Sequence, residues 1–293
     1  EKKGIQMELF LSQLVNGLSN SAILFLSAIG LVIVFGMLDV VNMAHGEFIM
    51  LGAYVGCTCI NSFHLPFIAA CAAAFIITAA IGAVVEQALI KRLYGKVAET
   101  LLATFALTYV FQQIIRSIYG PEDQTMSLPV EGSITLGSVT IPVYNLILIG
   151  VAVCVLAATL LLFFKTSYGM QLRAITQNRT MTQCLGINTS KIDCITFAYG
   201  CGLAGLAGVL LGPVRSITPT MGTSYIVDSF LVVVLGGLKS ILGTFAGSFV
   251  ISESSTVMAG YMSEITARLL IFIVIIVLIR VKPQGLFSAK EKR

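Results

Sequence analysis

The chain has 293 residues, of which 57% are hydrophobic and 11% charged, and its mean hydropathy is +0.94. A soluble domain carries about 25% charged residues, so a soluble globule is excluded and the bilayer becomes the solvent. The net charge of +4 sits in short loops and at the C-terminus, the positive-inside pattern, and does not suggest nucleic acid.

Lipid offers no partner to an exposed backbone amide, so the spans are helices or a closed barrel. The apolar runs are long and continuous rather than alternating, which selects helices. Residues 9–35 form the first predicted span, with Asn16, Ser19, Asn20 and Ser21 in its first half; these pair with neighbouring helices or line a cavity. No small-residue cleavage site is visible, so this span is expected to stay. Asp39 and Asn42 break the chain. The stretch 42–54, NMAHGEFIMLGAY, puts His45 and Glu47 at the mouth of an apolar segment, 44–60, that is either a short span or a re-entrant half-helix. Ionisable groups there are costly, which makes them structural anchors or part of a path. His45 lies three residues from Asn42 and shares a helical face with it if the helix starts that early. Glu47 points to the opposite side, so the two are not expected to form a dyad.

His64-Leu65-Pro66 marks a turn. Residues 67–90 span again and carry Glu86, and Lys91, Arg92 and Lys96 then make a cytoplasmic basic loop. Residues 101–119 span with Gln112, Gln113 and Arg116 near their end. The polar segment 120–142, with Pro121, Pro129 and the alternation Ser133-Ile134-Thr135-Leu136, reads as an extracytoplasmic loop that can hold a β-hairpin. It is a docking surface for an outside partner or a connector. Residues 143–164 span back. The segment 165–191 holds Lys165, Arg173, Arg179 and Lys191 without an acidic residue, which marks it as cytoplasmic. Within it 170–185 predicts one amphipathic helix with Met170, Leu172, Ile175, Met181 and Leu185 as apolar positions and Gly186 as its C-terminal cap.

Residues 192–211 span next. Gly200, Gly202 and Gly205 make a formal GxGxxG, but that fingerprint needs a preceding strand in a βαβ unit, so helix packing is the expected meaning. A turn region, 213–224, carries Arg215 and Pro219. Residues 225–238 are apolar except for Asp228 and Ser229, and too short for a span of about 20 residues. They read as a half-helix that mirrors 44–60, with Asp228 in the place of Glu47, the mark of a transporter whose site lies between two halves. In both, the acid either contacts a substrate or caps the helix N-terminus. Lys239 follows on the cytoplasmic side. Residues 241–260 carry Glu253, and 265–279 complete the last span with Arg268 inside it; for Glu86, Glu253 and Arg268 ion pairs or interhelical hydrogen bonds are the expected role. The tail 280–293 is basic and cytoplasmic. The N-terminus lies outside if 44–60 crosses fully and inside if it turns back.

The expected fold is one all-α polytopic membrane domain over 1–293, with about eight or nine transmembrane or re-entrant helices. Cys57, Cys59, Cys71, Cys154, Cys184, Cys194 and Cys201 show no zinc spacing with histidines and read as packing residues. There is no GxSxG elbow and no Walker A sequence, so the chain is expected to hold neither enzyme activity nor an ATPase site, and to bind no metal or cofactor.

The motifs NMAHGEFIMLGAY (42–54), ITQNRTMTQCLGI (175–187), GTSYIVDSFLVVVLGG (222–237) and KPQGLF (282–287) resemble the permease family of branched-chain amino acid ABC importers. The stretches NMAHGEF, ITQNR and SYIVDSF are most similar to the urea-transporting branch of that family. The resemblance implies a subunit of the bacterial inner membrane that pairs with a second homologous permease, two cytoplasmic ABC ATPases that use ATP, and an extracytoplasmic substrate-binding protein. It makes the basic segment a coupling helix, with Met170, Arg173, Ile175, Asn178, Arg179 and Gly186 as candidates for ATPase coupling. It also implies alternating access along a path for urea or a short-chain amide, with Asn42, His45, Glu47, Tyr225, Asp228 and Ser229 as candidate lining groups. A branched-chain amino acid importer is the alternative within the class, and a stand-alone passive urea channel the alternative outside it.

Overall fold

The computed structural model describes residues 2–130, 132–136, 139–260, 262–282 and 285–286. Helices carry the architecture, in the order α1 (Lys2–Leu38), α2 (His45–Cys57), α3 (Phe67–Ala88), α4 (Val97–Tyr119), α5 (Val143–Lys165), α6 (Ser167–Gln177), α7 (Arg179–Cys184), α8 (Thr189–Leu211), α9 (Met221–Gly236), α10 (Ile241–Ala259) and α11 (Glu264–Val281). Between α4 and α5 the strands β1 (Ser133–Leu136) and β2 (Val139–Pro142) pair antiparallel, Ser133 opposite Pro142, so the alternation at 133–136 is a hairpin strand. Six helices are long and apolar enough to cross a membrane, among the described residues. With the shorter apolar α9 and α11 and the buried α2, this is the expected all-α polytopic membrane fold.

Burial separates the helices into a centre and a shell. α1 and α8 are buried over most of their length, and α2 is buried on nearly every side. A helix apolar all round belongs inside, and these three do so because small residues let backbones meet. α3, α4 and α5 expose Ile68, Ile76, Leu102, Tyr109, Val153 and Phe164. An apolar surface of this extent is stable against lipid or a neighbouring membrane subunit rather than water.

Glycine positions decide the central contacts. The three glycines of GxGxxG open α8 toward three different neighbours: Gly200 faces Gly30 and Val34, Gly202 faces Phe75, and Gly205 faces Thr78 and Gly52. They are packing residues inside a helix, with no loop for a phosphate.

Two faces of the bundle can be told apart. Lys239 pairs with Asp39 at 3.6 Å, and Arg179 stacks on Tyr94, which gathers the basic segments on one face. On the other face Gln124 pairs with Ile217 across two loops, Asn61 Nδ2 donates to the Thr125 carbonyl at 2.9 Å, Gln13 approaches Gly260, and β2 packs against α1. The positive-inside rule makes the basic face cytoplasmic. α1 therefore starts on the hairpin side and ends at Asp39 on the basic side. Residues 39–44 return into the bundle without helix, and α2 begins beside Gly30 and continues to the hairpin side through a π-helical turn, Thr58–Ser62. The segment 44–60 thus runs on to the hairpin face of the bundle instead of turning back.

Two expectations on element boundaries need correction. The single helix 170–185 is two helices, because Asn178 leaves helical geometry (φ −155°, ψ 98°) and its side chain caps α7 by accepting from Met181 N at 2.9 Å. The half-helix 225–238 starts earlier, at Met221, so Asp228 lies in mid-helix and caps no N-terminus. Gly186 does end α7 as expected: at φ +81° it lets Gly186 N donate to the Gln183 carbonyl and Ile187 N to the Thr182 carbonyl, a Schellman closure. Most of the basic tail 280–293, with Pro283, Gln284 and Phe287 of the KPQGLF motif, lies outside the described residues, as do Glu131, Gly137 and Ser138 of the loop 120–142.

Candidate functional site

The N-terminal ends of α2 and α9 meet inside the bundle. A Cβ on Gly46 would come within 2.0 Å of the Gly222 carbonyl oxygen, so the two first turns touch backbone to backbone. Glu47, in the first turn of α2, lies against Gly222 and is buried. Gln112 of α4 donates from Nε2 to Glu47 Oε1 at 2.9 Å and to Thr223 Oγ1 at 3.1 Å, tying α2, α4 and α9 together. A Gln112→Leu variant leaves this buried carboxylate without its donor. We expect a loss of about 1–3 kcal/mol, read as a lower melting temperature in detergent.

Ser27 of α1 makes a second buried knot. His45 Nε2 donates to its carbonyl at 3.0 Å, and Ser229 Oγ donates to its Oγ at 3.1 Å. Asn42 Oδ1 accepts from Ala44 N at 3.1 Å, just before α2. Asn42, His45, Glu47 and Ser229 are therefore all buried and engaged at helix junctions, and His45 and Glu47 have separate partners, as their spacing implied.

Tyr225 and Asp228 lie elsewhere. They line a cleft of about 510 Å³ between α1, α9, α10, α11 and the turn before α9. Asp228 pairs with Arg268 of α11, a residue expected to be structural; Arg215 stands in the same wall. Asn20, Ser224, Ser255 and Thr256 add to the polar lining, and Ile23, Leu24, Leu231, Ile251 and Ile271 are among the apolar lining. Arg268 stands one turn into α11 and is 60% exposed, which suits a water-filled cleft better than lipid. Of the six expected path residues the structure thus brings two to the cleft and four to the junctions beside it. Asn20 takes the second of the two roles expected for the polar residues of the first span, lining a cavity, whereas Arg215 is visible in the sequence only as a basic residue in a turn. Gln112 is visible in the sequence only as a polar residue near a span end, and Ser27 and Thr223 carry no signal, because their roles depend on helices far away in the chain.

On the cytoplasmic face the candidates also divide. Met170 is 65% exposed, as are Met181 at 59% and Leu185 at 73%, while Ile175 and Leu172 are buried. Arg173 turns inward, donating to the Phe163 carbonyl and stacking 5.4 Å from the Phe164 ring. Arg179 turns inward to Asp193. Tyr168 hydrogen-bonds Thr196 Oγ1 at 2.6 Å, and burial pushes its phenol up to about 12, so it stays protonated.

The profile described as "Branched-chain amino acid transport system / permease component" matches residues 13–279. This chain is a member of that permease family. Among its relatives, the high-affinity branched-chain amino acid transport system permease protein BraD of Pseudomonas aeruginosa is 30% identical over 69% of this chain and 71% of its own. LivH of Escherichia coli K12, named likewise, is 26% identical over 96% of both chains. A probable LivH of Methanocaldococcus jannaschii is 27% identical over 72% and 69%. No solved structure matches. The permease thus belongs to the family that the motifs at 42–54, 175–187 and 222–237 indicated, and its relatives are transport subunits rather than enzymes.

Proposed function

We propose that this permease is a membrane subunit of a bacterial inner-membrane importer for branched-chain amino acids. It works with a second permease, two cytoplasmic ATPases and an extracytoplasmic binding protein. The observation that carries this reading is the cleft's amphoteric lining. Asp228 offers a carboxylate for an ammonium, Arg268 and Arg215 offer guanidinium groups for a carboxylate, and Ile23, Leu24, Leu231 and Ile271 offer an apolar wall for an aliphatic side chain. Urea has neither charge nor side chain, and such a lining gives it no use for either. The names of the relatives support the same choice over the urea reading suggested by the motifs.

Transport follows alternating access. Met170, Met181 and Leu185 form the exposed apolar surface that docks into an ATPase groove, as a short helix does. ATP-driven closure of the ATPases moves this surface and exposes the cleft to each side in turn. The test is uptake of labelled leucine and labelled urea by the reconstituted complex. ATP-dependent leucine uptake is expected. ATP-dependent urea uptake with leucine ignored overturns the substrate, and urea flux through this chain alone without ATP overturns the importer.

A further inference from the structure

We propose that Arg179 carries the ATPase stroke into the membrane helices, as a positioning residue that joins α7 to α8 through Asp193 and to the turn after α3 through Tyr94. This inference rests on the importer reading above.

The basic residues of 165–191 mark the segment as cytoplasmic without naming their partners. The structure turns Arg179 inward. It is the first residue of α7, just after the break at Asn178, and its guanidinium hydrogen-bonds the fully buried carboxylate of Asp193 in the second turn of α8. A carboxylate without access to water requires such a partner. The same guanidinium stacks over the Tyr94 ring, 5.1 Å from its centroid. Tyr94 in turn donates from its hydroxyl to Glu86 Oε1 of α3 at 3.2 Å, and Glu86 is itself buried. Burial, reinforced by the carboxylates of Asp193 and Glu86, pushes the Tyr94 phenol well up, so it remains a donor. A second grip lies one turn along: Gln183 Nε2 of α7 donates to Thr189 Oγ1 at the start of α8 at 2.9 Å.

α7 is therefore clamped to α8 at two points, and α8 is the most interlocked helix of the bundle. Its Gly205 and Gly208 meet α2, and α2 meets α9 at Gly46 and Gly222, beside the cleft. None of these backbone contacts has slack for a helix to slip independently. A displacement of α7 is thus passed to α8, then α2 and α9. Arg179 is where that route begins, because it is the charged link between α7 and a buried carboxylate of α8 that cannot let go cheaply.

The test compares Arg179→Met and Arg179→Lys in the reconstituted complex, using leucine-loaded binding protein as the probe. Arg179→Met is expected to retain the ATPase subunits on purification and to keep basal hydrolysis within about two-fold of wild type, while stimulation by the loaded protein and leucine uptake both fall about ten-fold. Arg179→Lys keeps the charge but not the stack, and is expected to recover part of the stimulation. Unchanged stimulation in Arg179→Met overturns the proposal. Loss of the ATPase subunits overturns it as well, since Arg179 would then be a dock contact. If Arg179→Met is not recovered folded, Tyr94→Leu, which removes the stack and the Glu86 bond, must show the same split between basal and stimulated hydrolysis; an absent split overturns the relay. A wild-type complex without ATP-dependent uptake overturns the importer reading and this relay together, whereas normal wild-type uptake with an indifferent Arg179→Met overturns the relay alone.

Discussion

Gly208→Val yields no monodisperse folded permease, and Gly208→Ala melts several degrees below wild type. The reason is backbone contact on both sides. A Cβ at Gly208 would stand 2.0 Å from the Ile49 carbonyl oxygen and 2.7 Å from Ala53 N, both in α2. Neither atom belongs to a side chain that can rotate away. The helices must separate, and separation loosens α8 from the Glu47 end of α2 as well. Overpacking a core costs about 1–3 kcal/mol where side chains can yield, and the cost here lies at or above the top of that range. Gly150, exposed in α5 with nothing within 4 Å of its Cβ position, is the control. Gly150→Ala is expected to be neutral or to stabilise by up to about 1 kcal/mol, since it removes only backbone freedom. Size-exclusion profiles and thermal melts in detergent check both. A Gly208→Val protein that melts within a degree of wild type would refute the close approach of α2 and α8.

Arg268→Met raises the KM for leucine about ten-fold, equivalent to about 1.4 kcal/mol of lost binding. The Vmax stays within about two-fold, because the interaction holds substrate equally before and during translocation. Asp228 is mostly buried, with 20% of its side chain exposed, while Arg268 is 60% exposed. Solvent screens part of that pair, which is why the expected effect is smaller than for a fully buried one. Arg268→Lys keeps a cation and is expected to recover most of the affinity. On the proposed reading Asp228 receives the substrate ammonium, so Asp228→Asn is expected to match Arg268→Met. Leucine uptake indifferent to both changes would remove the cleft from the path.

Much of the local structure was readable in advance. The turn at His64, the hairpin strand at 133–136, the cap at Gly186 and the packing role of Gly200, Gly202 and Gly205 all follow from neighbours in sequence. The division of labour within the polar residues did not. His45 and Glu47 stood out because ionisable groups in an apolar run are conspicuous, yet they hold helices together through Ser27 and Gln112, which are 18 and 65 residues away. Arg268 makes the expected ion pair, but only the fold shows that its partner is Asp228, 40 residues away, and that the pair stands in the cleft wall. At 170–185 the helix breaks at Asn178 and α7 starts in a new direction; Leu172 and Ile175 are buried, while Met170, Met181 and Leu185 are exposed.

The sequence by itself determined that this protein lives in a membrane, which segments are helical, which face is basic and to which family it belongs. Those properties are sums over neighbouring residues: hydropathy adds along a window, caps act within one turn, and loop charge needs no partner. Only the tertiary structure decided which polar groups are sealed at helix junctions and which share the cleft. That choice is made where helices cross, at glycines that admit a second backbone, and a crossing brings together residues whose separation along the chain carries no information about their separation in space.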